Sequence, residues 1–318
     1  MRRRGAVVAG VVVLALVLVG GWYAIRKGTL PFLAPDQCTA EVGGHAVVLD
    51  PSQARYAGLV AAIAVERGLP ARAASIALAA AYQESDLHNL RGGDRDSAGL
   101  FQQRPSQGWG TRAQVRDPVH ATNAFYDALV EVDGYEQLEI TVAAQEVQRS
   151  GFPDAYADHE ADARALASAL TGNSPEGFSC RLGDSDDGST GLRASGLTAR
   201  ADAVRRDLLA RFPDLPLGGF APGGVSTGHV SGSAHYDGRA IDAFVRPVSP
   251  ANRSRGWAIA AYLVSQADRL AIRTVIFDDR IWTAGRRSGD GWRDYEPPER
   301  SGDPAILEHR DHVHVDVF

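Results

Sequence analysis

The chain reads SAHYDGRAID over residues 233–242 and ends with DHVHVDVF over residues 311–318. These two blocks contain two histidines and an aspartate that can bind a metal ion, namely His235, Asp242 and His314. Three protein ligands leave the fourth tetrahedral position of zinc open for water, whereas a structural zinc site is closed by four ligands, usually with cysteine. The chain has two cysteines, and neither lies in these blocks. The residue types therefore predict a hydrolytic zinc site.

The final block has the pattern of a β-strand. Valines alternate with polar residues over residues 313–317. We therefore expect the valines to face a core while His312, His314 and Asp316 share the opposite face. Both histidines then face one cleft. Asp311 has the opposite parity, so it can reach this cleft only if the strand begins after it or is bulged there.

The spacing His-x6-Asp, the surrounding pattern Ser-x-His-x-x-Gly-x-Ala-x-Asp and the final His-x-His strand resemble the M15/LAS zinc peptidases, which cut peptidoglycan stem peptides. By this resemblance, His235, Asp242 and His314 bind zinc. It further implies that Asp311 is the base that activates water, and that His312 stabilises the oxyanion or orients the site. The two blocks leave open whether such an enzyme is a D,D-carboxypeptidase or an endopeptidase.

A second candidate site lies in the first half of the chain, where residues 51–170 have the alanine-rich apolar spacing of packed helices. A strongly apolar run ends at Glu84, and burial there would raise the pKa of this carboxyl, so that it could act as an acid at neutral pH. Glu-Ser at residues 84–85, GLFQ at residues 99–102 and a polar helix beginning at Ala143 follow in order. This order resembles the lysozyme-like fold of soluble lytic transglycosylases and goose-type lysozymes.

The second resemblance covers about residues 52–170. It implies that Glu84 protonates the glycosidic oxygen between N-acetylmuramic acid and N-acetylglucosamine, as glycosidase acids do. It also implies that Gln102, Gln103 and Gln148 line the sugar groove.

Three further residues of this half leave alternatives open. Trp109 lies in a glycine-rich loop, where it either stacks on a sugar ring or closes an edge of the core. Asp94 and Asp96 either form a turn or supply the second carboxylate that an inverting muramidase requires. Without such a carboxylate, the lytic transglycosylase reaction is favoured.

The N-terminus carries an uncharged run of 21 residues from Gly5 to Ile25, long enough to cross a hydrocarbon core of about 30 Å. Three arginines precede it, which favours a cytoplasmic N-terminus. We predict a single-pass membrane anchor, with a cleaved signal peptide as the competing interpretation. Everything beyond it would be extracytoplasmic, where Cys38 and Cys180 can form a disulfide; two unrelated buried thiols are the alternative.

The composition limits the classes of binding partner that we expect. The net charge of −6 gives no reason to expect nucleic acid. Of the 33 basic residues only Lys27 is a lysine, a bias associated with high-GC, actinobacterial genomes.

The sequence thus predicts a multidomain chain, with strands and helices mixed only in its last part. The expected segments are a cytoplasmic tip and transmembrane anchor (1–27), a stalk (28–50), an all-α lysozyme-like domain (51–180), a linker (181–196) and an α+β M15/LAS-like zinc domain (197–318). The predicted function is that of a membrane-anchored cell-wall hydrolase that cleaves the glycan strands and stem peptides of peptidoglycan. The alternative is a non-catalytic peptidoglycan-binding envelope protein.

Overall fold

The computed structural model describes residues 35–299 and 301–318. Residues 37–318 form one compact unit. The helices within the described residues are α1 (Pro51–Glu66), α2 (Ala71–Ser85), α3 (Arg112–Val115), α4 (Pro118–Val130), α5 (Ile140–Gln148), α6 (Glu160–Leu170), α7 (Ala199–Arg211), α8 (Pro250–Ser265), α9 (Ala267–Leu270) and α10 (Pro304–Leu307). Short 3₁₀ turns occupy Pro105–Gln107, Ala155–His159 and Gly285–Asp290.

The strands form two antiparallel sheets. They are β1 (Gln37–Val42), β2 (His45–Leu49), β3 (Phe178–Arg181), β4 (Leu217–Gly218), β5 (Ala240–Phe244), β6 (Ile272–Phe277), β7 (Arg280–Thr283), β8 (Arg293–Asp294) and β9 (His312–Val317). The first sheet has the order β2-β1-β3, and the second has the order β4-β5-β9-β6-β7-β8.

A disulfide links two neighbouring strands of the first sheet. Cys38 of β1 and Cys180 of β3 are direct partners in the strand register and are bonded to each other. The bond closes a loop with a sequence separation of 142 residues. In the chain-entropy model, closing so long a loop contributes about 5 kcal/mol to stability.

Helix α2 carries the first candidate site and is built from small residues. It begins after Pro70 and ends at Ser85, and the following Asp86 adopts a left-handed conformation with φ 52°. Most of its alanines are fully buried, so neighbouring helices approach its backbone closely. Glu84 lies in the last turn of this helix, where the chain emerges from the core.

The second sheet carries the other candidate site at its centre. Strands β5 and β9 are adjacent, and β6 flanks β9 on the other side. Val313 and Val315 are buried on the apolar face. Helix α8 packs against β6 through Trp257 and Phe277, whose ring centroids are 5.6 Å apart in an edge-to-face arrangement.

The parts of the chain before and after residue 181 pack directly on each other. The Gln266 side chain donates a hydrogen bond to the Arg55 carbonyl in α1. The Trp282 indole of β7 donates to the Cys180 carbonyl of β3. Leu182 is buried, and its backbone N–H donates to Ser288 Oγ. The polar stretch that begins at residue 181 is therefore held to the body of the protein at its start.

The predicted fold class is wrong. The first half was expected to be all-α, but β1, β2 and β3 form a sheet with its helices, so the described chain is a single α+β unit with two antiparallel sheets. The predicted membrane helix at 5–25 lies outside the described residues. Within residues 35–299 and 301–318, no helix is long and apolar enough to cross a membrane. The part of the chain that the structure describes therefore does not bear out the predicted single-pass location.

Candidate metal centre and carboxyl site

Strand pairing brings the two histidine-containing blocks together. Asp242 of β5 lies directly opposite His314 of β9, and Phe244 lies opposite His312. The polar side chains of β9 share one face, as the alternation with valine predicts. The strand begins at His312, so Asp311 precedes it and is free of the strand's alternation.

Three donor atoms converge at the centre of this cleft. His235 Nε2 is 3.1 Å from His314 Nδ1 and 3.2 Å from Asp242 Oδ1. His314 Nδ1 is 3.2 Å from Asp242 Oδ1. Tetrahedral zinc with bonds of about 2.0 to 2.1 Å separates its donors by about 3.3 Å. The three residues expected from the sequence therefore lie at the mutual spacing that one small metal ion requires.

The other nitrogen of each histidine has a partner that orients the ring. His235 Nδ1 donates to the Gly219 carbonyl at 2.8 Å, which leaves Nε2 as the unprotonated nitrogen facing the cleft. His314 Nε2 lies 3.4 Å from Asp316 Oδ2. Metal-binding histidines commonly donate their second N–H to a carbonyl or a carboxylate, and both rings have this arrangement.

The electrostatics of the cleft favour a positive charge. Burial alone would raise the pKa of Asp242, but its contacts with His235 and His314 hold it well below its usual range. Burial would lower the pKa of His314, yet its contacts with Asp242 and Asp316 raise it to about 9. In the metal-free protein a protonated imidazole thus occupies the position between two carboxylates. The same two carboxylates would attract a metal cation placed at this position.

A further histidine lies beside these donors. The His229 ring stacks on the His235 ring, with centroids 3.8 Å apart and an angle of 17° between the planes. His229, His235 and Asp242 each offer a ligand atom within 4.8 Å of the others, so they too form a possible metal-binding triad. Burial, followed by the neighbouring His235, lowers the pKa of His229.

Asp311 is held by two side chains. The His312 ring donates from Nδ1 to Asp311 Oδ1 at 2.6 Å, and Arg246 Nε donates to Asp311 Oδ2 at 2.6 Å. These partners lower the pKa of Asp311 against the opposing effect of burial. His312 Nε2 faces the metal-site residues, 3.8 Å from Asp242 Oδ1. The cleft, of about 440 Å³, is lined by His312 but not by Asp311.

Glu84 is partly buried at the end of α2. Tyr156 Oη donates a hydrogen bond of 2.7 Å to Glu84 Oε1. Burial raises the pKa of Glu84, while hydrogen bonds from Tyr156 and Gln148 oppose the rise in part. The net effect extends the protonated form of this carboxyl to higher pH.

Only some of the other residues expected to bind sugar line a cleft in the structure. Trp109 and Gln148 line one open cleft of about 770 Å³. Gln148 also donates to the Phe101 carbonyl. The Gln102 side chain bonds to Ser97 and to the Gly99 carbonyl, within its own loop. Gln103 is buried and donates to the Ala121 carbonyl, so it supports the loop from beneath instead of facing a groove.

The two candidate second carboxylates differ in their surroundings. Asp96 accepts hydrogen bonds from Arg104 and from the backbone and hydroxyl of Ser106, and these contacts lower its pKa. Asp94 is highly exposed and lies 3.8 Å from Arg95. Asp96 thus has the structural role in its turn that the sequence left as one alternative.

Comparison with known families gives one partial match. The family described as VldE, C-terminal domain, matches residues 193–305. This span is about a third of the chain; it contains His229, His235 and Asp242 and ends before the final strand. No curated protein matches the chain. The fold and the site therefore define an α+β protein with a possible metal centre, whose C-terminal part is similar to the VldE C-terminal domain.

Several residues of these sites were not assigned from the sequence. Tyr156 reaches Glu84 across 72 positions of the chain, and Arg246 reaches Asp311 across 65 positions, so no local spacing relates them. Gly219 is likewise 16 residues from the ring that it orients. His229 could be suspected, because it lies only six residues before His235.

Proposed function

We propose that His235, Asp242 and His314 hold zinc and that this cleft hydrolyses amide bonds in peptidoglycan stem peptides. The observation that carries the proposal is the convergence of three donors, with both histidines oriented through their second nitrogen. When bound, zinc would lower the pKa of a coordinated water to about 7 and polarise the scissile carbonyl. The resemblance of the two sequence blocks to M15/LAS peptidases supports the choice of substrate.

In this proposal His312 moves the proton. Its Nδ1–H donates to Asp311, so Nε2 carries the lone pair and faces the cleft. A base must lie within hydrogen-bond reach of the proton that it accepts, and this nitrogen meets that requirement for water in the cleft. Asp311, anchored by Arg246, would hold the imidazole in this tautomer. Asp311 itself does not line the cleft, so in this proposal it acts through His312.

We propose a second activity at Glu84, which would protonate the glycosidic oxygen of the glycan strand. The raised pKa of Glu84 supports this role, because a general acid must be protonated near the working pH. The neighbouring cleft with Trp109 and Gln148 offers an aromatic face and an amide for sugar rings.

Two variants of the full chain test the two proposed activities separately, each variant serving as the control for the other. His314→Ala should lose zinc and stem-peptide cleavage but retain the glycan products, while Glu84→Gln should show the reverse pattern. Zinc content is measured by elemental analysis, and products from purified peptidoglycan are identified by mass spectrometry. A zinc stoichiometry well below one in a folded wild-type protein, or peptide cleavage unaffected by His314→Ala, would overturn the metal-site proposal. Binding to peptidoglycan without any product would favour the non-catalytic alternative.

A further inference from the structure

The loop that precedes β5 passes directly over the metal-site residues. It connects β4 to β5 through residues 219–239 and contains neither helix nor strand. His229 lies in the middle of this loop, and Val230 beside it is exposed. The loop is anchored at its beginning, where the Gly219 carbonyl accepts from His235, and at its end, where β5 begins.

One tyrosine fixes the backbone of His229 over the cleft. Tyr236 Oη donates to the His229 carbonyl at 2.6 Å and accepts from the His229 N–H at 3.0 Å. Both bonds fix the His229 backbone relative to Tyr236, the residue that follows His235. Among residues 35–299 and 301–318, no group hydrogen-bonds to the His229 imidazole itself, so its nitrogens are available to a metal.

The position of His229 corresponds to a ligand that is near the metal without yet being bound to it. The donors of His235, Asp242 and His314 are 3.1 to 3.2 Å apart, whereas the group that includes His229 extends to separations of up to 4.8 Å. The His229 and His235 rings also stack face to face, so their in-plane lone pairs do not converge on one point. To bind the same metal, the His229 ring would have to turn out of this stack.

We propose that His229 is an exchangeable fourth ligand that closes the metal site in the resting protein. A site with four protein ligands has no open position, whereas hydrolysis requires one for water or substrate. Substrate entering the cleft would displace His229 together with its loop. The inference rests on the proposed metal site and adds to it a means of regulating access.

Counting the imidazole ligands of the zinc-loaded full chain tests this directly. X-ray absorption should show three imidazoles in the wild type and two in His229→Ala. The affinity for zinc, measured by competition with a chelator, should fall about 10- to 100-fold, and by less in Tyr236→Phe, which keeps the ring but loses both bonds to His229. His45→Ala, which removes an exposed imidazole from β2, is the matched control and should change neither quantity.

The outcomes distinguish a failure of the fourth-ligand role of His229 from a failure of the proposed metal site. Two imidazoles in both wild type and His229→Ala, with equal zinc affinity, would overturn the fourth-ligand role while leaving the metal site intact. A folded wild type that binds no zinc would overturn both. With saturating zinc, stem-peptide cleavage should be faster in His229→Ala, because the fourth position is then open. An unchanged or lower rate in the zinc-loaded variant would overturn the gating role.

Discussion

At the scale of single residues, the candidate sites depend on groups that hold the functional side chains in place. Gly219 is the clearest example. Its φ of +77° is unfavourable for other residues, and a Cβ there would lie 2.3 Å from His235 Cε1 and 2.9 Å from Asp242 Oδ2. The absence of a side chain at this position allows the carbonyl to approach the His235 ring and orient it.

Gly219→Ala should therefore damage the metal site with little general loss of structure. We expect the affinity for zinc to fall at least tenfold, because the new methyl group displaces two of the three donors. Gly223→Ala is a matched control, since Gly223 has a similar φ of +83° but nothing within 4 Å of the added Cβ. Chelator competition measures the affinity of both variants. Equal losses in the two would attribute the effect to backbone strain instead of to contact with the ligands.

Glu84 makes a prediction about stability and pH. Its pKa in the folded protein is raised by burial, so its protonated form is favoured by folding. Stability from this group is present below the unfolded pKa and is lost as the pH rises through that value towards the folded pKa. Glu84→Gln does not titrate, so its free energy of unfolding relative to the wild type should increase with pH across this window. Denaturant titrations at several pH values measure it, and a relative stability that falls with pH would contradict the raised pKa.

At the scale of elements, local pattern predicted the strand with the ligands but not the first sheet. The alternation of valine and polar residues in β9 identified both the strand and the face that carries His312 and His314. By contrast, residues 28–50 were interpreted as a stalk, although β1 and β2 form a hairpin around Gly43 and Gly44.

The reasons for this difference are physical. Gly43 and Gly44 both have positive φ, as two-residue hairpin turns require, so the turn signal was present in the sequence. The pairing of β1 with β3 was not present in any local pattern, because the partners are more than 130 residues apart. A strand that pairs with a distant segment resembles a linker when only its own local sequence is considered. The same limit applies to Tyr156 and Arg246, which reach their sites only through the fold.

At the scale of the whole molecule, two segments that the sequence divides into separate domains share one interior. Trp282 and Trp292, both after residue 181, donate hydrogen bonds to the carbonyls of Cys180 and Phe178 in β3. Helix α1 contacts the end of α8, where Gln266 bonds to the Arg55 carbonyl. Because these contacts are partly or fully buried and specific, we expect the two halves to unfold together and not as independent domains.

Gly58 tests this coupling, because it lies where α1 meets α8. A Cβ at Gly58 would lie 2.0 Å from Ser265 Oγ and 2.7 Å from Ser265 Cβ. Gly58→Ala should therefore destabilise the protein by about 1 to 3 kcal/mol, although alanine is the better helix former. The double variant Gly58→Ala, Ser265→Gly removes the clashing atoms and should recover part of the loss.

Denaturation is followed by tryptophan fluorescence, which is weighted to the second sheet, and by far-ultraviolet circular dichroism, which is weighted to the helices. Both signals should shift together in one transition. Two separate transitions, or a shift confined to the helical signal, would mean that the halves are energetically independent despite their contacts.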